Sequence, residues 1–409
     1  MADEPDVVIV GAGIAGGALA TVLARGGLDV LVLERALVHR DRVRGEFLAP
    51  WGVAEAGKLG LLDVLARAGT HYTVRTVPYR DGLDPEAARA RATDLSVMLP
   101  GIAGAVTVGH PRLCEALDAA ACEAGATLLR GASELSVEAG ERPRVGFTHD
   151  GHRREVSPRL VVGADGRGSA VARYIGLNAE TDPIHHIMAG LLVEGAEAWP
   201  EDEQTFGAHS GATLYVFPQG GGRVRLYVNH TLAERRRYAG PDAARNFLAA
   251  FNVPSLPFGE ALAAARPIGP CHGYPNADSW IDEPVAPGVV LIGDAAGHND
   301  PTIGQGLSIT LRDVRLVSEA MLEGRFSAKT FKPYVEERRE RMRRLRFIGR
   351  LFSTLHAEFT EEAHQRRQRA WQRTGANPAI GLPILAILKG PDALPSHAFE
   401  QEAWDRLLA

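Results

Sequence analysis

The sequence predicts an α/β fold in three parts: a parallel-sheet domain built from βαβ units, an inserted and mostly antiparallel β-sheet domain, and a helical C-terminal region. Three observations predict it. Val7 to Val10 is a short β-branched run followed by a glycine-rich turn and a helical segment, as in a buried parallel strand feeding its crossover helix. The same order of apolar strand, glycine turn and helix recurs at Val289 to Ile292. Between them, from about Thr181 to Ala265, the pattern shifts to alternating, β-rich segments separated by turn residues.

Taken in order, Val7–Val10 is the first strand, residues 11–16 form the turn, and Ile14–Arg25 is a helix stopped by Gly26 and Gly27. Val30–Leu33 is the second strand and completes one βαβ unit. A helix over Pro111–Glu123 leads to a strand at Thr127–Leu129, and Arg159–Val162 is a further strand ending at Gly163. In the inserted region Ile184–Glu194, Thr213–Phe217 and Arg223–Asn229 read as strands, the last two joined across Gly220-Gly221-Gly222. Beyond Gly306 the chain reads as helix nearly to Thr374. The charges of residues 333–346 are expected on a solvated helix face, and the proline-bearing stretch 375–396 is expected to wrap the surface. These segments predict a discontinuous first domain over residues 1–75, 98–180 and 266–345. A substrate-binding sheet domain is predicted over 76–97 and 181–265, and a helical and extended C-terminal segment over 346–409.

Bulk properties narrow the function classes. A chain of 409 residues suits two connected domains rather than one core. Hydrophobic content of 45% and charged content of 23% are ordinary for a globular protein. A formal net charge of −5 offers no basic stripe for nucleic acid. Cys114, Cys122 and Cys271 are too few and too scattered for a disulfide framework or a zinc site, so a cytoplasmic setting is expected and no metal. The apolar run from residue 7 to 24 follows acidic residues and is broken by glycines, so it is neither a signal peptide nor a membrane span. Oligomeric state is not legible.

The turn Gly11-Ala12-Gly13-Ile14-Ala15-Gly16 fits G-x-G-x-x-G. The first glycine permits the tight turn, the second lets backbone approach a pyrophosphate, and the third packs helix against strand; this is Rossmann-like grammar. The helix that follows offers free N–H groups to phosphate. Glu34, at the end of the second strand, is placed to accept from a ribose 2′-OH, with Arg35 beside it. The loop therefore suits NAD or the adenosine half of FAD. Gly293-Asp294-Ala295-Ala296, followed by Pro301, Gly304, Gln305 and Gly306 and a helix carrying Asp313, is a second strand-to-helix turn suited to the same purpose. Two such turns far apart in one chain point to a single long cofactor gripped at both ends.

The second turn resembles the Gly-Asp motif of the p-hydroxybenzoate hydroxylase-like, single-component FAD-dependent monooxygenases. Val162-Gly163-Ala164-Asp165-Gly166-Arg167 resembles that family's Asp-Gly motif. The resemblance spans residues 11 to 313 and implies a Rossmann-like FAD-binding domain of the GR2 type. By resemblance Asp294 holds the flavin ribityl chain, Pro301 through Gly306 run along the isoalloxazine, and Asp165 and Gly166 support FAD and NAD(P)H. Arg112 stands near the pyrophosphate, and Arg44 matches another FAD-contacting arginine. The implied reaction uses NAD(P)H and O2: reduced FAD adds O2 at C4a, and the hydroperoxyflavin hydroxylates or epoxidises an aromatic or polyketide-like small molecule. The protein's part is to position substrate and exclude water.

The chain departs from the family pattern where Gly297 precedes His298, which lengthens the flavin-side loop. His298 and Pro301 are the residues nearest a catalytic role, His298 because a histidine side chain ordinarily changes charge near neutral pH. The substrate is expected against the inserted sheet, with Tyr215, Phe217 and Arg225 as candidates. Alternation leaves open whether Arg225, Tyr227 and Asn229 or Val224, Leu226 and Val228 face inward. A flavin reductase of the geranylgeranyl reductase type is the competing expectation. A halogenase is disfavoured because no Trp-x-Trp is present, and a non-catalytic FAD protein makes poor use of paired Asp165 and Asp294.

Overall fold

In a computed structural model describing residues 4–43, 45–209 and 211–408, a glycine turn and a fully buried strand open the chain. Strand β1 (Val7–Val10) is the centre of a sheet, and its β-branched residues have no exposed face to accommodate. Helix α1 (Ile14–Arg25) returns it to β2 (Val30–Glu34), and α2 (His110–Glu123) leads to β3 (Thr127–Arg130). With β4 (Leu160–Gly163) the strands pair in parallel in the order β4-β1-β2-β3. Helices α1 and α2 cover one face in a core of Ile9, Leu19, Leu23, Leu113 and Leu117. An antiparallel meander (Ser133–Glu138, Arg144–His149, His152–Val156) covers the other through Phe147.

The chain then leaves for an eight-stranded, mostly antiparallel sheet. Its long members are β5 (His186–Glu194), β6 (Glu203–His209), β7 (Ala212–Gly220) and β8 (Arg223–Thr231), in the order β5-β8-β7-β6. The short strands Arg75–Val77 and Thr93–Asp94 extend it beyond β6, and β9 (His272–Asn276) pairs with β5. Leu214, Val216, Val224, Leu226 and Val228 pack on Trp199, Phe247 and Phe251. That decides the alternation: Tyr215, Phe217, Arg225, Tyr227 and Asn229 face the opposite way. Strand β6, Glu-Gln-Thr-Phe-Gly-Ala-His, lies outside the sequence expectation because its polar residues hide a buried central strand.

Strand β10 (Val289–Leu291) rejoins the parallel sheet beside β4, and helix α3 (Gly306–Leu322) follows. Helices α4 (Lys332–His356), α5 (Glu361–Ala376) and α6 (Leu382–Lys389) complete the C-terminal region. Two expectations are corrected here. The charge run is not simply a solvated face: Arg338 and Arg341 are fully buried and pair with Asp313 of α3. Residues 375–396 do not merely wrap the surface, for α6 buries Ala386 and Ile387 in a cluster with Trp51, Leu345 and Phe352. No helix among the described residues is long and apolar enough to cross a membrane.

Candidate active site

One cavity of about 1290 Å³ runs from the carboxyl ends of β1, β2 and β4 to the aromatics on the face of the eight-stranded sheet that carries Tyr215, Phe217 and Tyr227. Ligand pockets for drug-sized molecules span roughly 300–1,000 Å³, so this one has room for a long cofactor and a second molecule.

The cofactor end is shaped by backbone. Gly11 sits at φ +102, and a Cβ there would lie 2.5 Å from the Ala164 carbonyl oxygen. A Cβ on Gly16 would come within 1.8 Å of the Gly11 oxygen, whereas one on Gly13 would meet nothing. The first and third glycines are thus demanded by packing, and the second faces open space. Gly13, Ile14 and Ala15 line the cavity at the start of α1, where no side chain caps the free N–H groups. Helix α3 also starts uncapped, with Gly306 and Leu307 on the same cavity. Two helix N-termini with unsatisfied donors and positive dipole ends suit a pyrophosphate.

Glu34 is oriented by backbone, its Oε2 accepting from Ala12 N and its Oε1 from Ala36 N, both at 2.7 Å. Each oxygen keeps acceptor capacity for a ribose hydroxyl. Asp294 lines the cavity and pairs with Arg167 at 3.2 Å. Asp165 lines it too, but its carboxylate accepts from Ser169 Oγ and from the N–H groups of Ala170 and Val171. Its evident work is to hold the Asp-Gly turn against the next helix.

The cavity also brings together Arg35, Gly166, Pro301, Gly304, Gln305, Tyr215 and Phe217. Gln305 uses its side chain elsewhere, accepting from Trp51 Nε1 and donating to Ile303 and Ile387 oxygens, which ties the loop to α6. Gly304 is left-handed at φ +64 and closes that loop. Gly16 and Gly293 pack behind the lining. Arg112 is exposed on α2 and is not among the lining residues, and neither is His298, whose strand pairs with Ser279. Arg225 also lies behind the wall rather than in it. Arg44 lies outside the described residues.

The Pro301–Gly306 loop rests on a buried polar network. Thr302 Oγ1 donates to Asp300 and meets His186 Nε2 at 2.6 Å; Asn229 Nδ2 donates to Thr302 Oγ1 and to the Tyr215 hydroxyl, which donates to Thr302 O. Burial alone would raise the Asp300 carboxyl, but His186 and Thr302 outweigh it and hold it below the usual range. Burial pushes the Tyr215 and Tyr227 hydroxyls well above the ordinary phenol range, so both stay protonated.

The far end is aromatic. Phe217 stands 5.2 Å from Phe47, 6.3 Å from Tyr215 and 6.1 Å from Tyr227, ring centre to ring centre. Phe206 and Phe352 continue the wall. Glu46 sits at its base. It accepts from Tyr227, Arg225 and Gln219, and Arg225 also binds Asp41 at 2.6 Å. Desolvation raises the Glu46 carboxyl against the opposing pull of Arg225. Between them Val43, a β-branched residue at φ +56, is held in a sterically costly conformation by Asp41 accepting from its N–H. Sequence reasoning named none of Asp41, Glu46, Phe47 and Phe206 as site residues. An acidic residue inside the apolar stretch Glu46-Phe47-Leu48-Ala49 was the available signal.

These features match comparisons with known proteins. A family model described as FAD binding domain matches residues 4–346, and the chain belongs to that family of p-hydroxybenzoate hydroxylase-like flavoproteins. It is a flavin oxidoreductase by that membership. Among relatives, menaquinone reductase of Mycolicibacterium smegmatis is 27% identical over 339 residues, 79% of this chain and 78% of that protein. Squalene monooxygenase SE1 of Panax ginseng is 26% identical over 337 residues, 78% of this chain and 59% of that protein. The crystal structure of pqsL, a probable FAD-dependent monooxygenase from Pseudomonas aeruginosa, has the same fold, with TM-score 0.72 and 24% identity over 87% of this chain and 97% of that one.

Proposed function

We propose that this protein is an NAD(P)H- and O2-dependent monooxygenase that hydroxylates or epoxidises an aromatic or polyketide-like small molecule. The observation that carries the reading is the continuity of the aromatic wall with the dinucleotide groove in one cavity. Glu34, the N-termini of α1 and α3, and Asp294 would hold FAD. When bound, the flavin supplies electron transfer from NAD(P)H to O2 and transfer of one oxygen atom to the substrate, the other leaving as water. The chain's residues do the rest. Phe47, Phe217 and Tyr227 orient a flat substrate by stacking and edge contacts, worth about 0.5–1.5 kcal/mol per aromatic pair beyond burial. Phe352 and Ile387, from the C-terminal helices, wall the cavity from water. The Thr302–Asn229–Tyr215 network fixes the loop beneath the reacting end.

The test follows NAD(P)H oxidation and O2 uptake by FAD-loaded protein with a panel of phenols and polyketide-like aromatics. Substrate-stimulated, stoichiometric consumption of both supports the reading. The similarity to menaquinone reductase favours a second reading, a flavin reductase of the geranylgeranyl reductase type that works without O2. Product formation under anaerobic conditions would select it.

A further inference from the structure

The segment from Asp41 to Phe47 is attached to the eight-stranded sheet at three points. Two of them share one guanidinium: Arg225 of β8 meets Asp41 Oδ2 through Nη2 and Glu46 Oε2 through Nε, both at 2.6 Å. The third is Val43, which is fully buried against Met188, Tyr215 and Tyr227, with Phe206, Phe217 and Tyr274 packed on the same cluster. Those six residues come from β5 to β9, and all six line the cavity. Among the described residues of the cluster, Val43 alone comes from outside the sheet, and it is not a lining residue. It supports the aromatic wall without being part of it.

The seat for Val43 is the missing side chain of Gly190. Strand register places Tyr215, Tyr227, Gly190 and His272 in one row across β7, β8, β5 and β9. Residues directly opposite one another share a face of the sheet, so Gly190 is a gap in a row of rings. A Cβ on Gly190 would lie 2.5 Å from Val43 Cγ1 and 2.6 Å from Tyr227 Cδ1. Neither distance is tolerable, so one partner would have to move. The fit also holds Val43 at φ +56, a costly backbone for a β-branched residue that persists only when its surroundings impose it. Asp41 Oδ1 accepts from Val43 N, and Gly45 turns the chain at φ +75 towards Glu46 and Phe47. Resting on the reading of the aromatic end as the substrate compartment, we propose that Val43 and Gly190 are positioning residues. Their knob-and-hole fit sets where Tyr227 and Phe47 stand, and with it the affinity for a flat substrate. The cofactor end does not depend on this fit, for Glu34 is oriented by Ala12 and Ala36.

The test compares the FAD-loaded parent with Gly190→Ala, Val43→Ala and the double variant, without turnover. Fluorescence quenching reads the dissociation constant of 2-naphthol. Trypsin cleavage after Arg40 and Arg42, both exposed, reports whether the segment is seated. Gly190→Ala should weaken naphthol binding roughly tenfold and speed cleavage by a similar factor, because overpacking a filled seat displaces its occupant. Val43→Ala should weaken binding less, by about threefold, because the seat is left partly empty rather than blocked. The double variant puts back a methyl where two were removed, and should recover most of the loss; a general loss of stability gives no such rescue. FAD affinity should be unchanged throughout. A Gly190→Ala protein that binds naphthol and resists trypsin like the parent, a double variant no better than Gly190→Ala, or FAD lost in step with naphthol would overturn the proposal, and so would a parent that binds no naphthol. Should Gly190→Ala not fold, Val43→Ala decides alone, and parent-like binding and trypsin resistance overturn it. Failure of the monooxygenase reading shows separately, as absence of substrate-stimulated O2 uptake.

Discussion

Replacing Asp313 by Asn should loosen the joint between the flavin-side turn and the C-terminal helices. Asp313 is fully buried on α3. It accepts from Gly293 N at 2.9 Å, from Arg338 Nε at 3.1 Å and from Arg341 Nη2 at 2.7 Å. Arg338 in turn donates to the Gly297 oxygen, and so holds the far end of the same turn. Removing one partner from a buried ion pair costs about 3–5 kcal/mol because it leaves the other charge buried. Asn keeps one acceptor, and Glu337 still faces Arg341. The expected loss is therefore at the lower end, about 3 kcal/mol, roughly a hundredfold in the folding equilibrium. Urea unfolding of parent and variant, both stripped of FAD, measures it, and flavin fluorescence on dilution reads FAD retention. A midpoint shift equivalent to less than about 0.5 kcal/mol, the range of an ordinary surface change, with unchanged FAD retention would refute the reasoning.

Asp294→Ala should weaken FAD affinity by about 1–3 kcal/mol, since a ribityl partner is lost and Arg167 is left unpaired; equilibrium dialysis of FAD decides, and unchanged affinity would remove Asp294 from the site. Gly16→Ala places a Cβ 1.8 Å from the Gly11 oxygen, so the turn must shift, and the purified variant should be depleted of flavin as judged by absorbance; a fully yellow variant contradicts the packing argument. Burial lowers His209 to about 4 and His356 to about 3. Both bind a proton more readily unfolded, so stability should fall as pH drops from about 6.5 towards 4, by on the order of 3 kcal/mol for His209 alone. Asp278, raised by burial to about 6, acts in the opposite direction between pH 6 and 4. His209→Gln should flatten the acid limb of a denaturant-midpoint profile, and an identical slope would show that His209 is not buried neutral.

How much was legible depended on where the physics was local. Strand β1 and helix α1 were readable to the residue, because Gly11 and Gly26 punctuate a β-branched run and an apolar helix. The Gly-Asp and Asp-Gly turns were equally plain, Gly293 and Gly166 both standing at positive φ, +58 and +76. Contacts between distant segments were not. Arg338 and Arg341 look like a solvated charge run until Asp313, on another helix, is seen opposite them. Gln305 looked like part of the flavin loop, yet its amide bonds Trp51 and α6. The Asp41–Arg225–Glu46 cluster joins a loop after β2 to the distant strand β8, and no periodicity announces it. Arg225 was singled out as a substrate residue, but the structure places it behind the two carboxylates.

The most direct test of the account is the stoichiometry of turnover: NAD(P)H oxidised, O2 consumed and product formed by the FAD-loaded protein under 18O2, with catalase present to remove uncoupled peroxide. The account predicts that an aromatic substrate stimulates both consumptions equally and that its product gains one 18O atom per NAD(P)H. Product formed with no 18O, and equally well without O2, would contradict it and identify a flavin reductase.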